Sequence, residues 1–234
     1  MSSYQNAGLL DWAAPILHGA LVTLEIALLA YAIGLGLGLL GAGARLSAWP
    51  PLRALGTLYS TLVRAVPELL LIILLYYAGT QALNALLNAL GDDTHVEIGG
   101  FVCAVGVLAF VQGAYMTEVF RGAILAIPRG QLEAADAYGF TRWTRFHRIV
   151  VPAMLPNALP GMSNLWLILV KDTALISVVG FEELFFTAQQ AAASTRDYFL
   201  FYAAAGALYL VMTLGSNALF ARAERHVRRG QPGL

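Results

Sequence analysis

Ionisable side chains interrupt otherwise apolar stretches of this chain at Glu25, Glu68, Lys171 and Asp172, and Glu182 and Glu183 stand where another stretch ends. An unpaired charge at the centre of a membrane helix costs roughly 2.5 to 3.5 kcal/mol, so such groups either pair internally or serve a solute. A carboxylate turned into a water-lined path would receive a cationic group. Glu25 lies seven residues after His18 and shares a helical face with it. Glu68 follows Arg64 by four residues, a spacing at which the two could neutralise each other instead. Both readings stay open for Glu25 and for Glu68. Lys171 and Asp172 are adjacent and must point in different directions on a helix, which suits a subunit interface better than a shared ligand. Glu182 and Glu183 could meet a cationic solute at an outer mouth or remain solvated loop acids.

Covalent and metal chemistry find little support. Gly161-Met162-Ser163-Asn164 has the outline of an intramembrane serine protease motif, but that chemistry needs a glycine after the serine and a histidine on another membrane helix. Asn164 stands in place of the glycine, and His18, His95, His147 and His226 fall at loops or span ends. No cluster of His, Asp and Glu has metal-ligand spacing. Cys103 is the single cysteine, so neither an intrachain disulfide nor a thiolate cluster can form. No Gly-x-x-x-x-Gly-Lys-Ser/Thr stretch occurs, so any ATP hydrolysis must come from a partner.

The elements that must hold these residues are membrane helices. Of 234 residues, 59% are hydrophobic and only 12% charged, and the mean hydropathy is +0.68, values of an integral membrane protein. Residues 1–15 carry Asp11 and no Lys or Arg, unlike the basic start of a cleavable signal, and are expected to precede a retained first span. Apolar runs predict five spans over about 16–43, 69–90, 101–127, 152–170 and 198–221. The mixed segment 52–66 predicts a short interfacial piece. Residues 171–180 predict a half-helix or re-entrant turn, and 182–197 a polar loop. With the N-terminus outside, Arg45, Arg53, Arg121, Arg129, Arg142, Arg145, Arg148, Arg222, Arg225, Arg228 and Arg229 share one side, while Asp11, Asp92, Asp93, Glu97, Glu182, Glu183 and Asp197 share the other. The positive-inside rule then puts the C-terminus in the cytoplasm.

Between the third and fourth spans lies a polar island, Glu133-Ala134-Ala135, then Gly139, then Ile149 and Pro152. Gly139 can take the left-handed conformation that ends a short helix, and Thr141 can cap a second one carrying Arg142, Trp143, Arg145, Phe146 and Arg148. Two short helices therefore meet at a glycine elbow. Upstream, Glu118 and Arg121 lie one turn apart and can neutralise each other.

This spacing resembles the EAA loop of the integral-membrane subunits of bacterial ABC importers, with Val151 where leucine is usual. The resemblance extends through His18 to Glu25, Arg64-Ala65-Val66-Pro67-Glu68, Gly113 to Gly122 and Lys171 to Gly180, and is similar to the polar amino-acid branch, nearest the first permease of histidine/lysine/arginine/ornithine or opine importers. Ala65 replaces a usual glycine. The resemblance implies an all-α fold of five transmembrane helices with a cytoplasmic coupling helix: a domain over 16–221, its coupling loop at 129–148, between a periplasmic segment 1–15 and a basic tail 222–234. It implies that Glu133, Ala134, Ala135, Gly139, Arg142, Phe146 and Pro152 form the ATPase-docking element, while Glu25, Glu68, Asp172, Ser177 and Glu182 are the candidates for the substrate path. The implied setting is the bacterial inner membrane. The implied partners are a second permease subunit, a cytoplasmic ATPase dimer that binds ATP and magnesium, a periplasmic solute-binding protein and an amino-acid substrate. No cofactor of the chain's own and no nucleic acid is expected. An ion-coupled carrier or channel is the alternative, but carriers of that kind usually show an even number of spans in two repeats, and this chain shows neither.

Overall fold

The computed structural model describes residues 9–89 and 99–227. The N-terminal residues before Leu9, the acidic loop with Asp92, Asp93 and Glu97, and the tail from Arg228 onward lie outside the described residues. Regular structure among those described is helical throughout: α1 (Leu9–Arg45), α2 (Pro50–Ala65), α3 (Glu68–Ala89), α4 (Gly100–Leu125), α5 (Arg129–Ala137), α6 (Arg142–Arg145), α7 (Val151–Asp172), α8 (Leu184–Thr195) and α9 (Tyr198–Val227). A π-helical turn, Phe146–Val150, joins α6 to α7, and a 3₁₀ segment, Thr173–Val179, extends α7.

Four runs are long and apolar enough to cross a membrane: α1, α4, Arg142–Val179 and α9. The span expected over 69–90 is not among them: α2 and the first part of α3 pass only as a bent pair, turned by 112° at the Val66-Pro67 break. Proline has no amide hydrogen and disfavours a helical residue before it, and Val66 is accordingly extended at φ −96°, ψ 139°. The interfacial piece expected at 52–66 is thus a full helix. It turns Gly56, Ser60 and Val63 inward and leaves Leu55, Leu58 and Leu62 exposed.

The centre of the bundle is α1 against α4, and their approach depends on glycine. A Cβ at Gly38 would overlap Met116 and one at Gly41 would overlap Thr117, while one at Gly113 would sit 2.6 Å from Leu37 Cβ and 2.7 Å from the Tyr59 hydroxyl. Without a driving force from water inside the bilayer, such close backbone packing is what holds membrane helices together. Ile26, Ala27, Ala30, Leu108, Trp166 and Leu169 fill the space where α7 joins this pair.

The structure corrects the polar loop expected over 182–197. Residues 184–195 form α8, whose Leu184, Ala188, Ala191 and Ala192 recur at helical spacing and are buried against α1 and α9. The run is rich in small residues, so its periodicity carries little hydropathy contrast. Glu183 is corrected with it, being fully buried and not solvated. Its carboxylate accepts from the Phe186 amide at 2.9 Å, the Thr23 hydroxyl at 3.0 Å and the Tyr209 hydroxyl at 2.9 Å. One side chain thereby caps α8 and ties it to α1 and α9.

Candidate functional site

Two places in the fold bring polar groups together in ways that packing alone does not require. The first is an elbow between α4 and α7. Pro128 ends α4, and α5 runs from Arg129 to Ala137 with Ala135 buried and Glu133 and Ala134 exposed. Gly139 then takes φ +69°, as expected of a residue that reverses the chain after a helix. The Thr141 hydroxyl accepts from the Thr144 amide at 3.2 Å and so caps α6. Asp136 lies in the last turn of α5 and not near its start, and its carboxylate takes Arg145 from the second arm. Tyr138 and Trp143 are the most exposed aromatic residues here, at 83% and 69%, and Arg142 lies in the open beside them. Phe146 faces the other way, into an apolar groove with Gly36, Gly43 and Tyr59. Pro152 is exposed at the second position of α7, directly after the π-helical turn that interrupts the regular hydrogen-bond ladder.

The second place is a cavity of about 220 Å³ enclosed by α3, α4 and α7. Glu68 opens α3, Gln112 and Tyr115 come from α4, and Asn164 and Asp172 from α7. Glu68 and Asp172 are neighbours in its lining, close enough to interact, and Tyr115 stands beside Glu68. Two neighbouring carboxyls can share a proton or a cation, and otherwise repel. Gln112 is 3% exposed, yet its amide nitrogen has no hydrogen-bond partner among the described residues. Such a donor inside a membrane protein is costly unless something occupies the cavity.

Of the residues expected along the substrate path, the structure brings together Glu68 and Asp172. Glu25 is exposed on the outer face of α1, on the same side as His18 and away from the cavity lining. Ser177 is buried, and its hydroxyl donates to the Ala174 carbonyl at 2.6 Å. Glu182 is exposed in the turn before α8. Lys171 and Asp172 do point apart, Lys171 into a groove with Phe185, Tyr202 and Tyr209. Sequence reading gave no role to Gln112, although a lone amide within Val-Leu-Ala-Phe-Val-Gln-Gly was the available signal. Asn164 had drawn notice only as a departure from a protease motif.

Glu118 on α4 is the remaining charged junction. It pairs with Arg121 at 2.9 Å, as its spacing implied, and also with Arg45 at the end of α1. Arg64 at the end of α2 reaches the same carboxylate at 3.9 Å, so Arg64 is engaged with Glu118, with no ion pair to Glu68 among the described residues. Its guanidinium also lies over the Tyr115 ring, 5.7 Å from the centroid.

Residues 34–229 match the family described as the binding-protein-dependent transport system inner membrane component. The chain belongs to that family. It is therefore a multi-pass protein of the inner membrane, and the family implies a separate ATPase and a substrate-binding protein as partners. It is 42% identical over 222 residues to the histidine/lysine/arginine/ornithine transport system permease protein HisQ of Salmonella typhimurium, covering 95% of this chain and 97% of HisQ. It is 41% identical to the nopaline transport system permease protein NocQ of Agrobacterium fabrum, covering 94% and 93%, and 33% identical to the arginine ABC transporter permease protein ArtQ of Escherichia coli, covering 92% and 95%. Among solved structures, a crystal structure of an amino acid ABC transporter with histidines superposes with a TM-score of 0.78 at 29% identity, covering 93% of this chain and 96% of that one. The MetNI methionine ABC transporter, in an inward-facing conformation, shares the fold with a TM-score of 0.68 at 18% identity, covering 94% and 99%.

Proposed function

We propose that the chain is the permease subunit of an ATP-driven importer of basic amino acids, and that Glu68 and Asp172 receive the cationic side chain in transit. The observation that carries this reading is the pair of neighbouring carboxyls in a small cavity that also holds the unpartnered amide of Gln112. An ammonium or guanidinium group placed between Glu68 and Asp172 would remove their repulsion and gain charge-assisted hydrogen bonds, each worth roughly 1.5 to 3 kcal/mol. The Gln112 donor, a few side chains away, suits a carboxylate or carbonyl oxygen of the same solute. Relatives named for histidine, lysine, arginine and ornithine agree with that charge.

The chain's own work is gating. Its α5–α6 elbow, with exposed Glu133, Arg142, Tyr138 and Trp143, would dock on a cytoplasmic ATPase dimer that binds ATP and magnesium. A second permease, copy or paralogue, would complete the path from a periplasmic binding protein. The arginine bias argued from sequence puts the elbow and C-terminus in the cytoplasm and the N-terminus outside.

The test is uptake by the assembled complex in proteoliposomes carrying Glu68→Gln or Asp172→Asn. Either change keeps shape and removes one charge, and arginine uptake at equal abundance is expected to fall about ten-fold or more, since about 1.4 kcal/mol is a factor of ten. Unchanged uptake in both variants would refute the cavity as the substrate site.

A further inference from the structure

Arg64 is placed beside the cavity but is little used by the contacts that surround it. Two nearer arginines already attend Glu118: Arg45 beside Oε1, and Arg121, whose Nε and Nη2 lie 3.1 and 2.9 Å from Oε2. Arg64 is the third guanidinium on that carboxylate, the farthest at 3.9 Å and the most exposed, at 43% against 20% for Arg45 and 32% for Arg121. Three arginines on one glutamate leave surplus positive charge, and Arg64 is the one Glu118 can most easily release.

On its other side Arg64 rests over Tyr115, a cation–π placement, and Tyr115 lines the cavity beside Glu68. On a continuous helix Arg64 and Glu68 would be neighbours, four residues apart. The 112° bend at Val66-Pro67 separates them, so Arg64 stands over Tyr115, the ring that lines the cavity with Glu68 and Asp172. Lys171, though next to Asp172, turns its side chain into a different groove.

We infer that Arg64 is the cavity's internal counter-cation: it moves from Glu118 over Tyr115 onto Glu68 and Asp172 as a cationic substrate departs, and returns to Glu118 when the next one arrives. This rests on the cation-site reading of the cavity. A departing cation would otherwise leave two carboxylates facing each other in a low-dielectric space, which would hold the substrate back. A resident guanidinium competes for the same oxygens. It lowers the affinity of the cavity and speeds release.

Equilibrium binding of radiolabelled arginine to the purified complex in nanodiscs, without binding protein, is measured alongside maximal uptake in proteoliposomes for Arg64→Gln and Arg64→Lys. Arg64→Gln is expected to bind arginine about ten-fold more tightly while maximal uptake falls several-fold, and Arg64→Lys, which keeps the charge, to restore at least half of the uptake. In the double variant with Glu68→Gln the effect of Arg64→Gln on binding should shrink to less than half, because one of the two carboxylates it competes for has lost its charge. Unaltered binding by Arg64→Gln, equal losses in the Gln and Lys variants, or failure of Arg64→Gln to assemble would each overturn the inference and leave Arg64 a packing residue. Glu68→Gln alone separates the two readings: if it leaves arginine binding intact, the cavity is not the cation site, whereas weakened binding with no effect of Arg64→Gln removes only the counter-cation.

Discussion

Arg145 Nη1 lies 2.6 Å from Oδ1 and 2.7 Å from Oδ2 of Asp136, joining the two arms of the elbow that Gly139 turns. Both side chains are partly exposed, at 35% and 56%, so the pair contributes about 1 kcal/mol or less. The elbow's shape therefore depends chiefly on the backbone.

Gly139→Val puts a β-branched side chain at φ +69°, a conformation that costs an ordinary residue roughly 1 to 2 kcal/mol and a branched one more. Membrane abundance should stay near normal while uptake by the complex falls about ten-fold. Asp136→Asn should lower uptake less than two-fold. Glu133→Lys, which reverses an exposed charge on α5, should also uncouple ATP hydrolysis from transport. Transport assays alongside ATPase rates check all three, and normal uptake by both Gly139→Val and Glu133→Lys would refute the docking role.

Orientation is checked by labelling. In a Cys103→Ala background, a cysteine at Asp197, exposed between α8 and α9, should react with a membrane-impermeant maleimide added outside spheroplasts, and one at Tyr138 only after permeabilisation. The reverse pattern would place the elbow outside and exclude contact with a cytoplasmic ATPase.

Glu183 should be critical for stability and Glu182 should not. Glu183→Ala leaves the Thr23 and Tyr209 hydroxyls and the Phe186 amide without their acceptor, at roughly 1 to 3 kcal/mol for each group that finds no substitute. Melting of the purified complex in detergent should drop by several degrees. Glu182→Ala, next to it but exposed, should melt as the unaltered protein does.

The α1–α4 seam makes a steric prediction. Gly38→Leu and Gly41→Val would drive side chains into Met116 and Thr117 and should abolish accumulation of the protein, whereas Gly36→Ala, with open space around it, should accumulate normally by immunoblot.

The sequence by itself determined what is local or compositional. Apolar runs long enough to cross a bilayer mark four of the five expected spans, because helical geometry alone sets how many residues the hydrocarbon layer requires; the run over 69–90 is instead bent against α2. Gly139 and Thr141 announced the elbow, since a positive φ and a hydroxyl cap are properties of single residues in their immediate surroundings. Adjacent Lys171 and Asp172 had to diverge for the same reason. Tertiary structure decided partnership between distant residues. Arg64 was four residues from Glu68 and equally available to it, but the bend at Val66-Pro67 turned it to Glu118 and put Glu68 beside Asp172. Glu182 and Glu183 are indistinguishable in sequence, and only the docking of α8 on α1 and α9 buries one and exposes the other. Gln112 is legible in sequence as a lone amide in an apolar run, but only the closing of three helices around a cavity gives it a place beside Glu68 and Asp172. Charge pairing inside a membrane protein is a long-range choice, because the cost of an unpaired group depends on which helix arrives beside it and not on its neighbours in the chain.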